Sequence, residues 1–151
     1  MTRPALLDVN VLVALFSPDH VHHELAHDWF ADHRQHGWAT CPLTENGFVR
    51  VLTVPSKDVP PLRTGELLDR LRTFCKSGHH VFWPDTLSIR DAAVFNQAFI
   101  RGHRQLTDVY LLGLAKTMNG TLATFDRTIP LAAVVGATRT TLSVISAVEA
   151  A

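Results

Sequence analysis

The sequence predicts an α/β domain: a central parallel sheet of about five short strands, flanked by helices. Three observations carry this. Short apolar runs alternate along the chain with stretches of helical periodicity, the mark of strand–helix–strand units. The runs are apolar at neighbouring positions, so both faces of each strand are buried, as in a parallel sheet covered by helices. Turn signals, Gly78, Gly102 and Asn119-Gly120 among them, end the helical stretches.

The elements follow in order. ALLDVNVLVAL opens as the first strand, with Asp8 late in it, and runs into the start of a helix. DHVHHELAHDWFADHRQ places Val21, Leu25, Trp29 and Phe30 at helical spacing. GWATCP is a short strand closed by Pro42, and LTENGFVRVLT a helix with Thr44 as candidate N-cap. TVPSKDVPPLRTG, from Thr53 to Gly65, is turn-rich and expected as a surface connection. TGELLDRLRTFCKSG is an amphipathic helix with Leu67, Leu68, Leu71, Phe74 and Cys75 on one face. HHVFWP is a further strand. DTLSIRDAAVFNQAFIRG is expected as a helix, capped by Asp85 or Thr86 and ended by Gly102. LTDVYLLGLAKTMNG is a helix starting at Thr107-Asp108; TLATFD and RTTLSVIS are the last strands.

With 151 residues, the chain is expected to form a single domain over 1–151, and 46% apolar residues suffice for a real core. Fourteen basic and fourteen acidic residues balance, so whole-chain charge excludes strong non-specific attraction to polyanions, and any such site must be a local basic patch. Cys41 and Cys75 have no metal-type or paired spacing and are expected as small core residues. With no signal peptide and no apolar stretch near the ~20 residues of a membrane span, the expected place is the cytoplasm, without membrane association.

Four acids stand out against this frame. Asp8 lies among Leu6, Leu7, Val9 and Val11, where a carboxylate without a partner is costly. Asp126 follows the strand TLATF. Glu45 falls in the first turn of the helix after GWATCP, and Asp108 opens a strongly apolar helix. Asp108 and Glu45 could each merely favour a helix start, and Asp126 a turn. Together they can lie along one edge of a parallel sheet, at the carboxyl ends of the strands where such folds bind ligands. Crowded carboxylates resist ionising beside one another, and a hard divalent cation such as Mg²⁺ or Mn²⁺ would offset them with oxygen ligands.

LLDVNVLVALF, LTENGFVRVL, GHRQLTDVYLLGLA and LATFDR, in this order and spacing, resemble the PIN-domain ribonucleases, and most closely the VapC-type toxins of bacterial toxin–antitoxin pairs. The resemblance covers nearly the whole chain and implies a PIN-like fold, in agreement with the pattern above. It implies an endoribonuclease toxin that hydrolyses phosphodiester bonds in structured RNA, such as transfer or ribosomal RNA loops. It further implies Asp8, Glu45, Asp108 and Asp126 as the catalytic pocket, with Asp8 and Asp108 the principal Mg²⁺ ligands. Asn10 and Thr124 match supporting polar positions. A cognate VapB-type antitoxin and a homodimer are the implied protein partners.

Other clusters carry less. Arg101, His103 and Arg104 precede Asp108 and could meet RNA phosphates, or serve as cations at an ordinary helix C-terminus. His23 and His27, four apart, are compatible with a zinc pair but lack a third ligand nearby; they and His79-His80 are expected as exposed polar residues. The apolar faces of HELAHDWFADH and TGELLDRLRTFC leave room for a groove that takes an antitoxin helix or a dimer seam. Two other functions fit parts of the pattern. A non-catalytic RNA-binding or regulatory module of the same fold is opposed by the complete acid set. A phosphate-receiver domain would want a late lysine, and none follows Lys116.

Overall fold

The computed structural model describes residues 3–55 and 60–147. Five strands form one parallel sheet in the order β3-β2-β1-β4-β5. They are β1 (Ala5–Leu7), β2 (Trp38–Thr40), β3 (His80–Phe82), β4 (Thr121–Thr124) and β5 (Leu142–Val144). The helices are α1 (Val9–Phe16), α2 (His23–His33), α3 (Pro42–Thr53), α4 (Thr64–Cys75) and α5 (His103–Thr117).

Alternate strand residues face opposite layers. Leu7, Trp38 and Ala123 pack with Leu12, Phe30, Phe48, Leu67 and Leu71 under α1 to α4. Leu6, Ala39 and Leu122 pack on the other face with Leu111, Leu112 and Leu114 of α5 and with Trp83, Phe95 and Val134. This two-sided burial is why β1, β2 and β4 read as continuous apolar runs, whereas the edge strand β3 departs from the expectation, with Val81 and Phe82 exposed. The chain leaves β1 for β2 and β3 on one side and returns to β4 on the other. The β1–β4 seam is therefore the topological switch point, whose carboxyl end is the natural crevice of an open α/β sheet.

Four local expectations are corrected. β1 ends at Leu7, and Asp8 is the N-cap of α1, although its N–H still donates to Ala123 O (3.0 Å) as a rung of the β1–β4 ladder. α3 begins at Pro42, so Thr44 is not its N-cap; its hydroxyl instead accepts from Cys41 N–H (2.9 Å) and donates to Cys41 O (3.0 Å). α5 begins at His103, not at Thr107-Asp108. The helix expected from Asp85 to Gly102 is absent. There the chain runs through turns and one short 3₁₀ turn, Gln97–Phe99.

That absence has a local cause. Asp85 spends its carboxylate on another helix, accepting from Leu43 N–H in the first turn of α3 (3.2 Å). Ser88 accepts from Arg90 N–H (3.2 Å) and Asp91 from Ala93 N–H (2.9 Å), side-chain turns that compete with helix. Phe95 then buries its ring against α5 and bridges antiparallel to Val134. Within Thr53–Gly65, residues 56–59 lie outside the described residues, and the flanking Val54, Pro55, Pro60 and Pro61 are exposed, as a surface connection should be.

Candidate functional site

The switch point brings three of the four acids together. Asp8 caps α1 with Oδ1, which accepts from Val9 N–H at 2.7 Å, while Oδ2 accepts from the Thr124 hydroxyl at 2.8 Å. The Thr124 oxygen also accepts from Asp126 N–H at 3.1 Å, so one buried hydroxyl links the carboxylate after β1 to the turn after β4. Asp126 Oδ1 takes the N–H and hydroxyl of Thr128 (2.7 and 2.6 Å), closing an Asx turn. The turn role anticipated for Asp126 is thus real, and it holds the carboxylate at the seam.

Asp108 sits five residues beyond the start of α5, too far in to cap it. Its charge is felt by its neighbours instead. Burial pushes its carboxyl up to about 6, with Asp8 and then Asp126 adding repulsion. Burial likewise raises Asp8, against the hydrogen bonds from Thr124 and Val9, and Asp126 adds to the rise. Among the described residues, the one ion pair is Arg72–Asp69, so no Lys, Arg or His stands within 4.0 Å of these three carboxylates. Asp8 is buried and Asp108 and Asp126 partly so, and like charges held together with no cationic side chain beside them among the described residues resist ionising together.

Glu45 lies at the carboxyl end of β2, in the first turns of α3, but its Oε2 accepts from the Thr40 hydroxyl at 2.7 Å. It neighbours Cys75 and His80 there. Asn10 is exposed on α1, and no hydrogen bond among the described residues ties it to the acids. Arg101, His103 and Arg104 are exposed around the start of α5. The alternative of a helix C-terminus for them is corrected with the missing helix. They stand at a helix N-terminus, where cations are unfavourable by about 0.3–1 kcal/mol unless an anion offsets them.

The histidine expectations are met in part: His27 and His79 are exposed, whereas His23 and His80 are partly buried. His23 donates to Ala14 O (2.7 Å) and His27 to Leu15 O (2.8 Å), satisfying the last carbonyls of α1 and tying α2 to it. His22 packs on Phe125 (4.6 Å between ring centres), beside Asp126. His80, expected as exposed, is half-buried and lies 2.8 Å from the Thr40 hydroxyl, a contact forty residues away that no local signal announces. Cys41 is fully buried, as expected of a core residue, whereas Cys75 is only partly so. Between α1, α2 and α4 lies a groove of about 530 Å³, lined by Leu15, Phe16, His27, Arg70 and Phe74, where the sequence left apolar surface over. Among the described residues no helix is long and apolar enough to cross a membrane.

Comparison with known proteins agrees with this architecture. The model of the PIN domain family matches residues 5–135. Ribonuclease VapC44 of Mycobacterium tuberculosis is 44% identical over 135 residues, 89% of this chain and 94% of that protein. Ribonuclease VapC39 of the same organism is 38% identical over 122 residues (81% and 88%), and Ribonuclease VapC38 is 43% identical over 122 residues (81% and 84%). Sheet order, the carboxylates at the switch point and these similarities converge: the chain belongs to the PIN-domain family, on its VapC ribonuclease branch.

Proposed function

We propose that the chain, as one domain over 1–151, is a metal-dependent endoribonuclease toxin that hydrolyses phosphodiester bonds in structured RNA. The observation that carries this is the group Asp8, Asp108 and Asp126: the first buried and the others partly so, mutually repelling, and without a cation among the described residues. Asp8 and Asp108 would hold Mg²⁺ or Mn²⁺, whose oxygen preference fits them. When bound, such an ion stabilises charge on the phosphate and lowers the pKa of water.

The chain's own groups do the rest. Thr124 fixes the direction of Asp8. Asp126, held by Thr128, leaves Oδ2 to accept the proton of the attacking water as its oxygen bonds to phosphorus and one ester oxygen departs. Glu45 completes the pocket on turning away from Thr40, and Asn10 supports it from α1. Arg101, His103 and Arg104 would receive RNA phosphates at the start of α5, which removes their conflict with the helix dipole. A cognate VapB-type antitoxin would lay a helix in the α1–α2–α4 groove and bring an Arg to the acids in place of the metal. A cytoplasmic homodimer is the proposed setting.

The test is cleavage of a structured RNA by purified protein. Cleavage is expected with Mg²⁺ or Mn²⁺, to stop on chelation and to return on adding the ion. Cleavage undiminished by chelator would overturn the metal reading. Thr124→Val keeps the shape of the side chain but removes the bond to Asp8. It is expected to slow cleavage by about 10–100-fold, as loss of an outer hydrogen bond to a ligand does, with the circular dichroism spectrum unchanged.

A further inference from the structure

A second convergence of ligand-type side chains lies on the α3–α4–β3 side of the sheet. Glu45 comes from the first turns of α3, Cys75 is the last residue of α4, and His80 the first of β3. A carboxylate oxygen, the thiol sulfur and an imidazole nitrogen lie within 4.8 Å of one another, and all three residues are partly buried. We propose that Glu45, Cys75 and His80 form a binding site for a thiolate-preferring transition-metal ion, zinc above all, and that its occupation regulates the enzyme by capturing Glu45.

The donor set decides the ion. Sulfur and imidazole ligands select zinc-type ions, whereas Mg²⁺ prefers oxygen alone, so this site is chemically distinct from the aspartate group. Three protein ligands with one position open is a recurrent zinc arrangement. Bonds of about 2.0–2.3 Å set tetrahedral ligands roughly 3.5 Å apart, so closure from separations of at most 4.8 Å asks for no more than about an ångström of side-chain movement.

The surroundings fit too. The Thr40 hydroxyl, fully buried, donates to Glu45 Oε2 (2.7 Å) and lies 2.8 Å from His80 Nε2. Since that hydroxyl donates to the carboxylate, it accepts from the imidazole, which leaves the Nδ1 lone pair uncommitted by this bond. Such outer hydrogen bonds orient ligands in metal sites. Glu45, Cys75 and His80 line a cavity of about 340 Å³ together with Leu68, Leu71, Arg72 and Lys76. A carboxylate and a thiolate neutralise a dication, so these two cations do not oppose the filled site, and Arg72 is already held by Asp69. The regulatory consequence rests on the ribonuclease reading; the metal site does not.

The test is titration of the full chain with Co²⁺, a spectroscopic stand-in for zinc, in excess Mg²⁺ to fill oxygen sites. One equivalent is expected to give a thiolate-to-cobalt charge-transfer band that zinc abolishes. Cys75→Ser should lose the band and His80→Gln weaken binding at least about tenfold, whereas His23→Ala and His27→Ala keep it. No band in the wild type, or a band surviving in Cys75→Ser, overturns the site. In the cleavage assay, zinc should slow the wild type several-fold more than Cys75→Ser. Equal slowing overturns the link through Glu45. If no preparation cleaves RNA, the ribonuclease reading fails, while the cobalt band still decides the metal site.

Discussion

Asp108→Asn is expected to lower RNA cleavage at least about a thousandfold while raising the stability of the metal-free protein at pH 8. The first effect follows from the charge on which the proposed ion depends. Metal stabilisation of phosphoryl chemistry is worth several kcal/mol, and about 4 kcal/mol is a thousandfold in rate. The second follows from linkage. The Asp108 carboxyl titrates near 6 in the folded chain, because of burial and then the charges of Asp8 and Asp126. In the unfolded chain it titrates near 3.9. The folded state thus holds the proton more tightly, so stability falls as pH rises from about 4 through 6, and above 6 the whole penalty is present. Asparagine removes it. Asp108 is only half-buried, so solvent screens the repulsion and the gain is modest. Asp8→Asn should lose cleavage equally but gain no comparable stability. Its amide oxygen still caps α1, yet an NH2 donor now faces the Thr124 hydroxyl, whose own proton loses its acceptor. Cleavage rates and urea midpoints at pH 5 and 8 check both. An active Asp108→Asn, or one with a midpoint below wild type at pH 8, would sink this account of the site.

The acids could be read because the rule that groups them is topological. Once strands and helices alternate, residues after β1 and β4 must share the carboxyl edge, so Asp8 and Asp126 were placed without any contact being known. Asp108 was legible as a residue but not as a position, since a start at Thr107 made it a cap. The true start at His103 puts it well inside α5, where capping no longer explains it. The segment 85–102 failed for the opposite reason. Its signals are local and helical, but Asp85 is taken by α3 and Phe95 by Val134, partners far along the chain. His80 failed likewise: its bond to Thr40 spans forty residues, and nothing near it in sequence marks it as buried. Periodicity reports which face is covered; it does not report which distant group claims a polar side chain.

Gly120→Ala is expected to cost about 3 kcal/mol, although glycine is not needed there for its backbone angles. In the sequence, Asn119-Gly120 reads as one helix stop. The structure divides the work. Asn119 takes the left-handed conformation (φ 56°), and the N–H groups of Asn119 and Gly120 return to Lys116 O (3.1 Å) and Ala115 O (2.8 Å). Gly120 is required by close approach. A Cβ there would stand 2.5 Å from Pro4 O and 2.5 Å from the Trp83 ring. The Pro4 carbonyl cannot retreat, since it accepts from Thr121 N–H at 2.9 Å as the rung that opens the β1–β4 seam, and Trp83 is buried. Overpacking costs about 1–3 kcal/mol, and a backbone obstacle belongs at the upper end. For a chain of this size that lowers the melting temperature by about 6–12 °C. Asn119→Gly, by contrast, places the favoured residue at a left-handed cap and should be neutral or mildly stabilising. The pair separates the two roles: if the stop signal were the whole reason for the dipeptide, Gly120→Ala would melt with the wild type. A melting temperature within a degree of wild type would mean that the seam is not held at this distance. The placement of Asp8 and Thr124 at its far end would then lose its support.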